Sequence, residues 1–156
     1  MKFHIDRDDL SDGQIVKLLE SHLADMLLHS PPESVHALVP AALAAPEISF
    51  WGARCDGRLA GCGALKELSP SHAELKSMKT DPHFARQGVA SDILQAMLAE
   101  AQCRGYQRVS LETGSMAVFE PARRLYQKYG FVECGPFGNY QLDPHSTFMT
   151  KILSST

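Results

Sequence analysis

The sequence lacks any run approaching the ~20 apolar residues of a membrane-spanning helix. Its first residues, Met1-Lys2-Phe3-His4-Ile5-Asp6, carry neither an apolar stretch nor a small-residue cleavage site. These two absences predict a cytoplasmic protein with no membrane partner. The four cysteines, at 55, 62, 103 and 134, form no CxxC pair and no metal-ligand spacing, which predicts reduced thiols and no metal. Excess positive charge is also missing: the formal net charge is −3, which argues against a nucleic-acid partner. Internal repeats and low-complexity tracts are absent as well, excluding solenoids and disordered tails.

What is present suits one globular domain over residues 1–156: the composition is 44% hydrophobic and 21% charged, enough to build a single core. A strand is expected over Lys2 to Ile5. A helix follows from about Asp12 to Leu28, where Ile15, Leu18, Leu19, Leu23, Met26 and Leu27 recur at helical spacing. Ser30-Pro31-Pro32 stops it, and a second short helix is expected over Ser34 to Ala44. Strands Ile48 to Cys55 and Arg58 to Leu65 flank an Asp56-Gly57 turn, and a third strand covers Ala73 to Thr80. In a two-residue hairpin Cys55 faces Arg58 and Cys62 faces Trp51, so the two thiols are not cross-strand partners.

The strongest helical pattern runs from about Gln87 to Arg104, with Gly105 as its stop. Then come a strand over Arg108 to Thr113, a helix over Met116 to Tyr129 ended by Gly130, and strand-like pieces at Phe131 to Glu133 and Thr147 to Leu153. This order is an α/β (α+β) arrangement with helices on a mixed sheet. His22, His29 and His36 recur every seven residues, but the proline break destroys their helical register and they are not expected to bind metal. Gly61-Cys62-Gly63 is a fragment of a dinucleotide fingerprint inside a hairpin, and no nucleotide site is assigned to it.

Chemistry concentrates in the segment after the third meander strand, which ends Thr80-Asp81-Pro82-His83-Phe84 and continues Ala85-Arg86-Gln87-Gly88-Val89-Ala90-Ser91. A loop carrying Arg86 and Gln87 opens a long helix at Gly88, whose missing side chain lets backbone approach a ligand oxygen. The first amides of a helix have no internal partner. Hydrogen bonds to charged groups contribute about 1.5–3 kcal/mol each, against roughly 0.3–1 kcal/mol for the helix dipole at an exposed site. Converging amides therefore dominate, and a diphosphate fits them well. About 40 residues downstream in a pattern that needs both halves, Glu120-Pro121-Ala122-Arg123-Arg124-Leu125-Tyr126-Gln127-Lys128-Tyr129-Gly130-Phe131 ends a helix and enters a strand.

Together the two blocks resemble the GNAT superfamily of N-acetyltransferases, whose diphosphate loop reads Arg/Gln-x-x-Gly-x-Gly/Ala and whose later helix ends in Ala-x-x-Leu-Tyr-x-x-x-Gly-Phe. Segments 30–38, 75–78, 111–114 and 136–140 (Ser-Pro-Pro-Glu-Ser-Val-His-Ala-Leu, Leu-Lys-Ser-Met, Leu-Glu-Thr-Gly and Pro-Phe-Gly-Asn-Tyr) are similar to those of a bacterial subgroup acting on small substrates. The loop departs from the pattern in having Ala85 first and Arg86 second, and Phe119 stands where the family often has asparagine. The resemblance implies a mixed sheet of six to seven strands flanked by four helices, splayed between strands 4 and 5. It implies acetyl-CoA (coenzyme A as product) as co-substrate.

By the same resemblance, Met78, Lys79 and Thr80 pair with the pantetheine arm, and a bulge between Glu74 and Thr80 produces the splay. Arg86, Gln87, Gly88, Val89, Ala90 and Ser91 take the diphosphate, and Phe119 and Tyr126 line the arm. Tyr126 is the expected acid at the leaving sulfur, Glu74 the expected base acting through water, and the amide of Met78 or Lys79 the oxyanion donor. Tyr129 is expected to be an ordinary core aromatic. Met26, Ser34, His36, Glu112, Thr113 and Tyr140 are expected at the acceptor end, with His22 and Ser146 nearby. The implied activity is acetyl transfer to the amine of a small molecule through a ternary complex, a homodimer being an allowed assembly. The alternatives are a protein or peptide N-acetyltransferase and a CoA-binding sensor without turnover.

Overall fold

The computed structural model describes residues 3–34 and 45–153. Seven strands form one sheet: β1 (His4–Asp8), β2 (Ile48–Cys55), β3 (Arg58–Ser69), β4 (His72–Thr80), β5 (Arg108–Gly114), β6 (Val132–Cys134) and β7 (Ser146–Ile152). Their order is β1-β2-β3-β4-β5-β7-β6. Only the β4–β5 neighbours run parallel; the remaining pairs are antiparallel. Three α-helices lie among the described residues: α1 (Gln14–His29), α2 (Val89–Cys103) and α3 (Glu120–Lys128). Residues 32–34 form a short 3-10 turn, and the rest of the helix expected over 34–44, His36 included, lies outside the described residues.

The parallel pair explains the connection between β4 and β5: two parallel neighbours need a crossover, and α2 supplies it. One stripe of α2, comprising Val89, Ile93, Leu94, Met97 and Ala101, is buried and packs on one face of the sheet beside Leu65, Leu75, Val109 and Leu111. Fully burying side chains of this size stabilises by about 1.5–3 kcal/mol each, so truncating Met97 to alanine is expected to cost roughly 2–5 kcal/mol. On the opposite face Ile15, Leu18 and Leu19 of α1 pack against Phe50, Leu59, Cys62 and Ala64.

The Gly61-Cys62-Gly63 segment has its explanation in this packing. A Cβ at Gly61 would lie 2.7 Å from a Val89 methyl, and one at Gly63 would lie 2.6 Å from the Met97 methyl and 2.7 Å from the Met78 sulfur. The two glycines let α2 sit close on β3, while Cys62 between them faces α1 and burial pushes its thiol up to about 12. The hairpin register differs from the expectation. Cys55 pairs with Arg58, but an irregularity at Ala53/Arg54 sets Cys62 opposite Gly52 rather than Trp51. A turn-based register assumes regular pairing, and one shifted residue moves every pair beyond it.

Candidate active site

Parallel pairing between β4 and β5 begins at His72 with Arg108 and stops at Leu75 with Leu111. The reason lies on the other edge of β4. Ala64 of β3 pairs with Lys76, yet Cys62, two residues away, pairs with Lys79, three residues away. One extra residue is therefore inserted in β4, and Ser77 sits there in the left-handed region at φ 57°. Such a bulge bends the strand carrying it. Leu75 and Met78 both pack with the α2 core, and Lys79 reaches across to Asp25 of α1 at 3.2 Å. Beyond the bulge β4 leaves β5, while Glu112, Thr113 and Gly114 of β5 stay paired with Phe148, Thr147 and Ser146 of β7.

Three hollows line this opening. A groove of about 560 Å³ on one side is bounded by Lys79, Thr80, Ala90, Ala122 and Leu125. A smaller hollow of about 120 Å³ occupies the splay itself, between Glu74, Ser77, Glu112, Thr113 and Tyr140. His22, Met26, Met78, Phe119 and Tyr126 line both of these. The third, of about 570 Å³, lies against Glu33, Lys66, Leu68 and residues 138–143. It shares Glu74, Lys76 and Tyr140 with the middle one. The splay hollow thus lies between the two larger ones and shares walls with each.

The groove ends near the start of α2. Gly88 caps that helix at φ 84° with no side-chain cap hydrogen bond among the described residues, and Arg86 precedes it at φ 63°. A Cβ on Gly88 would meet no protein atom within 4 Å, so the space before the helix is open to a ligand and the glycine is demanded by conformation. Val89 is buried in the core, leaving its backbone amide as its offering. Ser91 donates or accepts with its hydroxyl at Tyr129, and the Gln95 amide donates to the same phenol at 2.9 Å. Tyr129 is thus half-buried and ties α3 to the first turn of α2, unlike the core aromatic expected. The open helix start and the groove leading from it fit an extended diphosphate-bearing thioester.

Phe119, at the end of a 3-10 turn before α3, lies flat on Gly114: a Cβ there would come within 2.1 Å of its ring. Arg123 fixes the same corner by donating to the carbonyls of Gly114 and Met116 at 2.7 and 3.0 Å. Tyr126 is 7% exposed and stacks edge-on to Phe131. Burial raises its phenol above the ordinary range, so it holds its proton until a stronger base forms beside it.

Glu74 is 3% exposed. Lys76 Nζ donates to its Oε2 at 3.2 Å, and the Tyr140 hydroxyl donates to the same oxygen in a short contact. Lys76 also donates to the Tyr140 oxygen at 2.9 Å. Burial, and then the Glu74 charge, raise the Tyr140 phenol. Glu112 accepts from the Ser146 hydroxyl at 2.7 Å. Burial pushes its carboxyl up to about 7, against the lowering pull of Ser146 and Lys76. His22 is pushed down to about 4, chiefly by burial and then by Lys79. Ser34, expected at the acceptor, lies outside these three hollows and donates instead to Asp143 at 2.6 Å, while its neighbour Glu33 lines the third.

Reading the sequence alone missed Lys76, which alternation along β4 places beside Glu74. Phe137 and Phe148 were not expected either; they pack against Tyr140, the three rings lying 5.1–6.0 Å apart. No three potential metal ligands cluster among the described residues. No described helix is long and apolar enough to cross a membrane.

A parallel pair opened by a bulge, facing an uncapped helix start and a buried tyrosine, defines a site for a thioester carrier. Residues 15–131 match the model of the acetyltransferase (GNAT) family, and the chain belongs to that family. It is similar to two proteins named as N-acetyltransferases. YsnE of Bacillus subtilis is 56% identical, covering 96% of this chain and 99% of that protein. YedL of Escherichia coli is 48% identical, with 97% and 95% covered. Among solved structures, a Klebsiella pneumoniae protein described as an acyl-CoA N-acyltransferase superposes with a TM-score of 0.80 at 26% identity, covering 97% and 98% of the two chains. A family member from Elizabethkingia anophelis, solved with acetyl-CoA bound, shares the fold with a TM-score of 0.69 at 19% identity, covering 97% and 99%. The chain is a GNAT N-acetyltransferase.

Proposed function

We propose that this enzyme moves the acetyl group of acetyl-CoA to the amine of a small molecule, both substrates being bound together. One observation carries the reading: the groove running from α2 and the hollow beside Glu33 and residues 138–143 meet at the splay, where Tyr126 and Glu74 stand in shared walls. The groove would hold the co-substrate's arm against Met78, Lys79 and Thr80. Arg86, Gln87 and the amides of residues 88–91 would take its diphosphate. The hollow beside Glu33, of about 570 Å³, falls within the roughly 300–1,000 Å³ of small-molecule sites, which supports a small acceptor over a protein tail.

Transfer requires a neutral amine, and an amine of pKa about 10.4 needs roughly 4–5 kcal/mol to lose its proton at pH 7. A carboxylate at the middle hollow, where Glu74 and Glu112 both stand, would lower that barrier by accepting the proton. Tyr126 donates to the departing sulfur, for which its retained proton suits it. Amides of Met78 or Lys79 would stabilise negative charge on the acyl oxygen. Holding the two reactants in place supplies about 7–11 kcal/mol of the barrier by itself, so loss of one group slows the reaction without abolishing it.

The test is a screen of small amines and of peptides with free amino termini or lysines, read as thiol released from acetyl-CoA. Small amines are expected to turn over, and Tyr126→Phe to lower kcat about 100-fold, at the lower end of acid–base contributions. Turnover confined to peptides would overturn the small-acceptor reading, and an unchanged kcat would remove Tyr126 from the chemistry.

A further inference from the structure

Two buried carboxylates face the middle hollow, and their surroundings divide the work between them. We propose that Glu112 takes the proton from the acceptor amine, and that Glu74, locked to Lys76 and Tyr140, is a positioning residue. This deepens the amine-acceptor reading and rests on it.

Oε2 of Glu74 receives both Lys76 Nζ and the Tyr140 hydroxyl. With both donors on that oxygen, an amine proton could reach it only by displacing one of them. Lys76 also donates to Tyr140, so the three side chains bond one another between the middle hollow and the acceptor hollow. Taking a proton at Glu74 would weaken its ion pair with Lys76.

Glu112 has different surroundings. It stands on β5 beyond the paired stretch, and among the described residues its Oε2 accepts one hydrogen bond, from the neutral hydroxyl of Ser146 on β7 at 2.7 Å. The charged groups facing it are Lys76 and Glu74 of β4 and Asp143 from the loop before β7. Lys76 favours its anion, while the two carboxylates oppose it. His22 of α1 lines the same hollow and is neutral near pH 7, being pushed down to about 4. With burial as the largest influence, the Glu112 carboxyl is pushed up to about 7. A base is most effective when its pKa lies near the working pH.

The step balances without a further reactant. The acceptor ammonium gives one proton to Glu112 and becomes a neutral amine, whose lone pair forms the C–N bond to the acetyl carbon. The C–S bond breaks and its electron pair leaves on sulfur, which takes the Tyr126 proton. The nitrogen's second proton returns to Tyr126, and Glu112 later releases its own to solvent.

The experiment uses the full chain with Glu112→Gln and Glu74→Gln, both near-isosteric. With the best amine from the screen, kcat/KM of the wild type is expected to rise with pH through a limb near 7, separate from the amine's own ionisation. Glu112→Gln should lose about 100-fold or more and lose that limb. Glu74→Gln should keep the limb and mainly raise KM for the amine. A limb retained in Glu112→Gln, or abolished only in Glu74→Gln, overturns the assignment. Independently of any amine, carbon NMR of side-chain carboxyls in the resting protein should show a resonance titrating near 7 that Glu112→Gln removes. Titration of that resonance below pH 5 also overturns the assignment. If no small amine turns over, the acceptor reading fails, while the NMR titration still decides whether Glu112 is poised to accept a proton.

Discussion

The two ends of the β4–β5 pair are built from the same strands and do opposite things. At the closed end, His72–Leu75 lies in register with Arg108–Leu111, and the polar groups there satisfy one another. His72 Nε2 and Ser110 Oγ are 2.7 Å apart, Ser110 and Thr150 hydroxyls 2.9 Å, and Arg108 Nε donates to Thr150 at 2.7 Å. At the open end, the bulge at Ser77 has drawn β4 away, and Glu74, Glu112, Tyr126 and Tyr140 border a hollow. The closed-end network lies within the sheet and helps to hold the fold, whereas the bonded groups at the open end face space that a substrate can enter. The contrast teaches that one inserted residue converts sheet into site.

The most direct way to break this contrast is to delete Ser77. Removing the extra residue leaves Lys76 followed by Met78, so strand alternation keeps Met78 on the α2 face and Lys79 on the α1 face. The strand can then resume regular pairing with β3 and close on β5. The deletion is expected to fold and to weaken acetyl-CoA binding at least 100-fold, about 2.7 kcal/mol, measured by calorimetry beside a circular dichroism melt. Native affinity in a folded deletion would show that the bulge does not make the splay.

The converse change at the closed end should cost stability and leave the chemistry alone. Ser110 is fully buried, and Ser110→Ala takes a partner from His72 and Thr150. A loss of about 1–3 kcal/mol is expected from denaturant unfolding, with kcat within twofold of wild type. A large fall in kcat instead would mean that the two ends are coupled. Next in size is Gly88→Val. The new side chain would meet open space, yet would require φ 84°, which a β-branched residue rarely adopts. Weakening of CoA binding by over tenfold, about 1.4 kcal/mol, is expected in calorimetry. An unchanged affinity in that folded variant would move the diphosphate away from the start of α2.

Much of this contrast was legible in the residues, for physical reasons that also mark where legibility ended. The α2 pattern, the Asp56-Gly57 turn and the stop at Gly130 are local signals, and the observed elements fall within a few residues of them. The bulge in β4 was expected from the family resemblance, but no local signal picks Ser77 as its left-handed residue, because serine carries no preference for that conformation. Gly61 and Gly63 carried a clear signal whose meaning was hidden: what crowds them is Val89 and Met97, some 28 and 34 positions along the chain. The Glu74, Lys76 and Tyr140 unit joins residues 66 positions apart. Long-range partners of that kind decide which of two glutamates is paired with a lysine and a phenol, and sequence spacing does not encode them.

The smallest expected effect probes how the site borrows rigidity from the closed core. The Tyr129 hydroxyl shares a hydrogen bond with that of Ser91 and accepts one from the Gln95 amide, fastening the end of α3 to the first turn of α2. The same α3 carries Tyr126, so this fastening fixes the distance between the diphosphate end and the acid end of the groove. Tyr129→Phe removes hydrogen bonds contributing about 0.5–1.5 kcal/mol each while keeping the ring. The melting temperature should fall by a few degrees for a domain of this size, and KM for acetyl-CoA should rise two- to fivefold with kcat less affected. If only the melting temperature moves, α2 and α3 are set independently, and the relation between diphosphate and acid comes from the sheet alone.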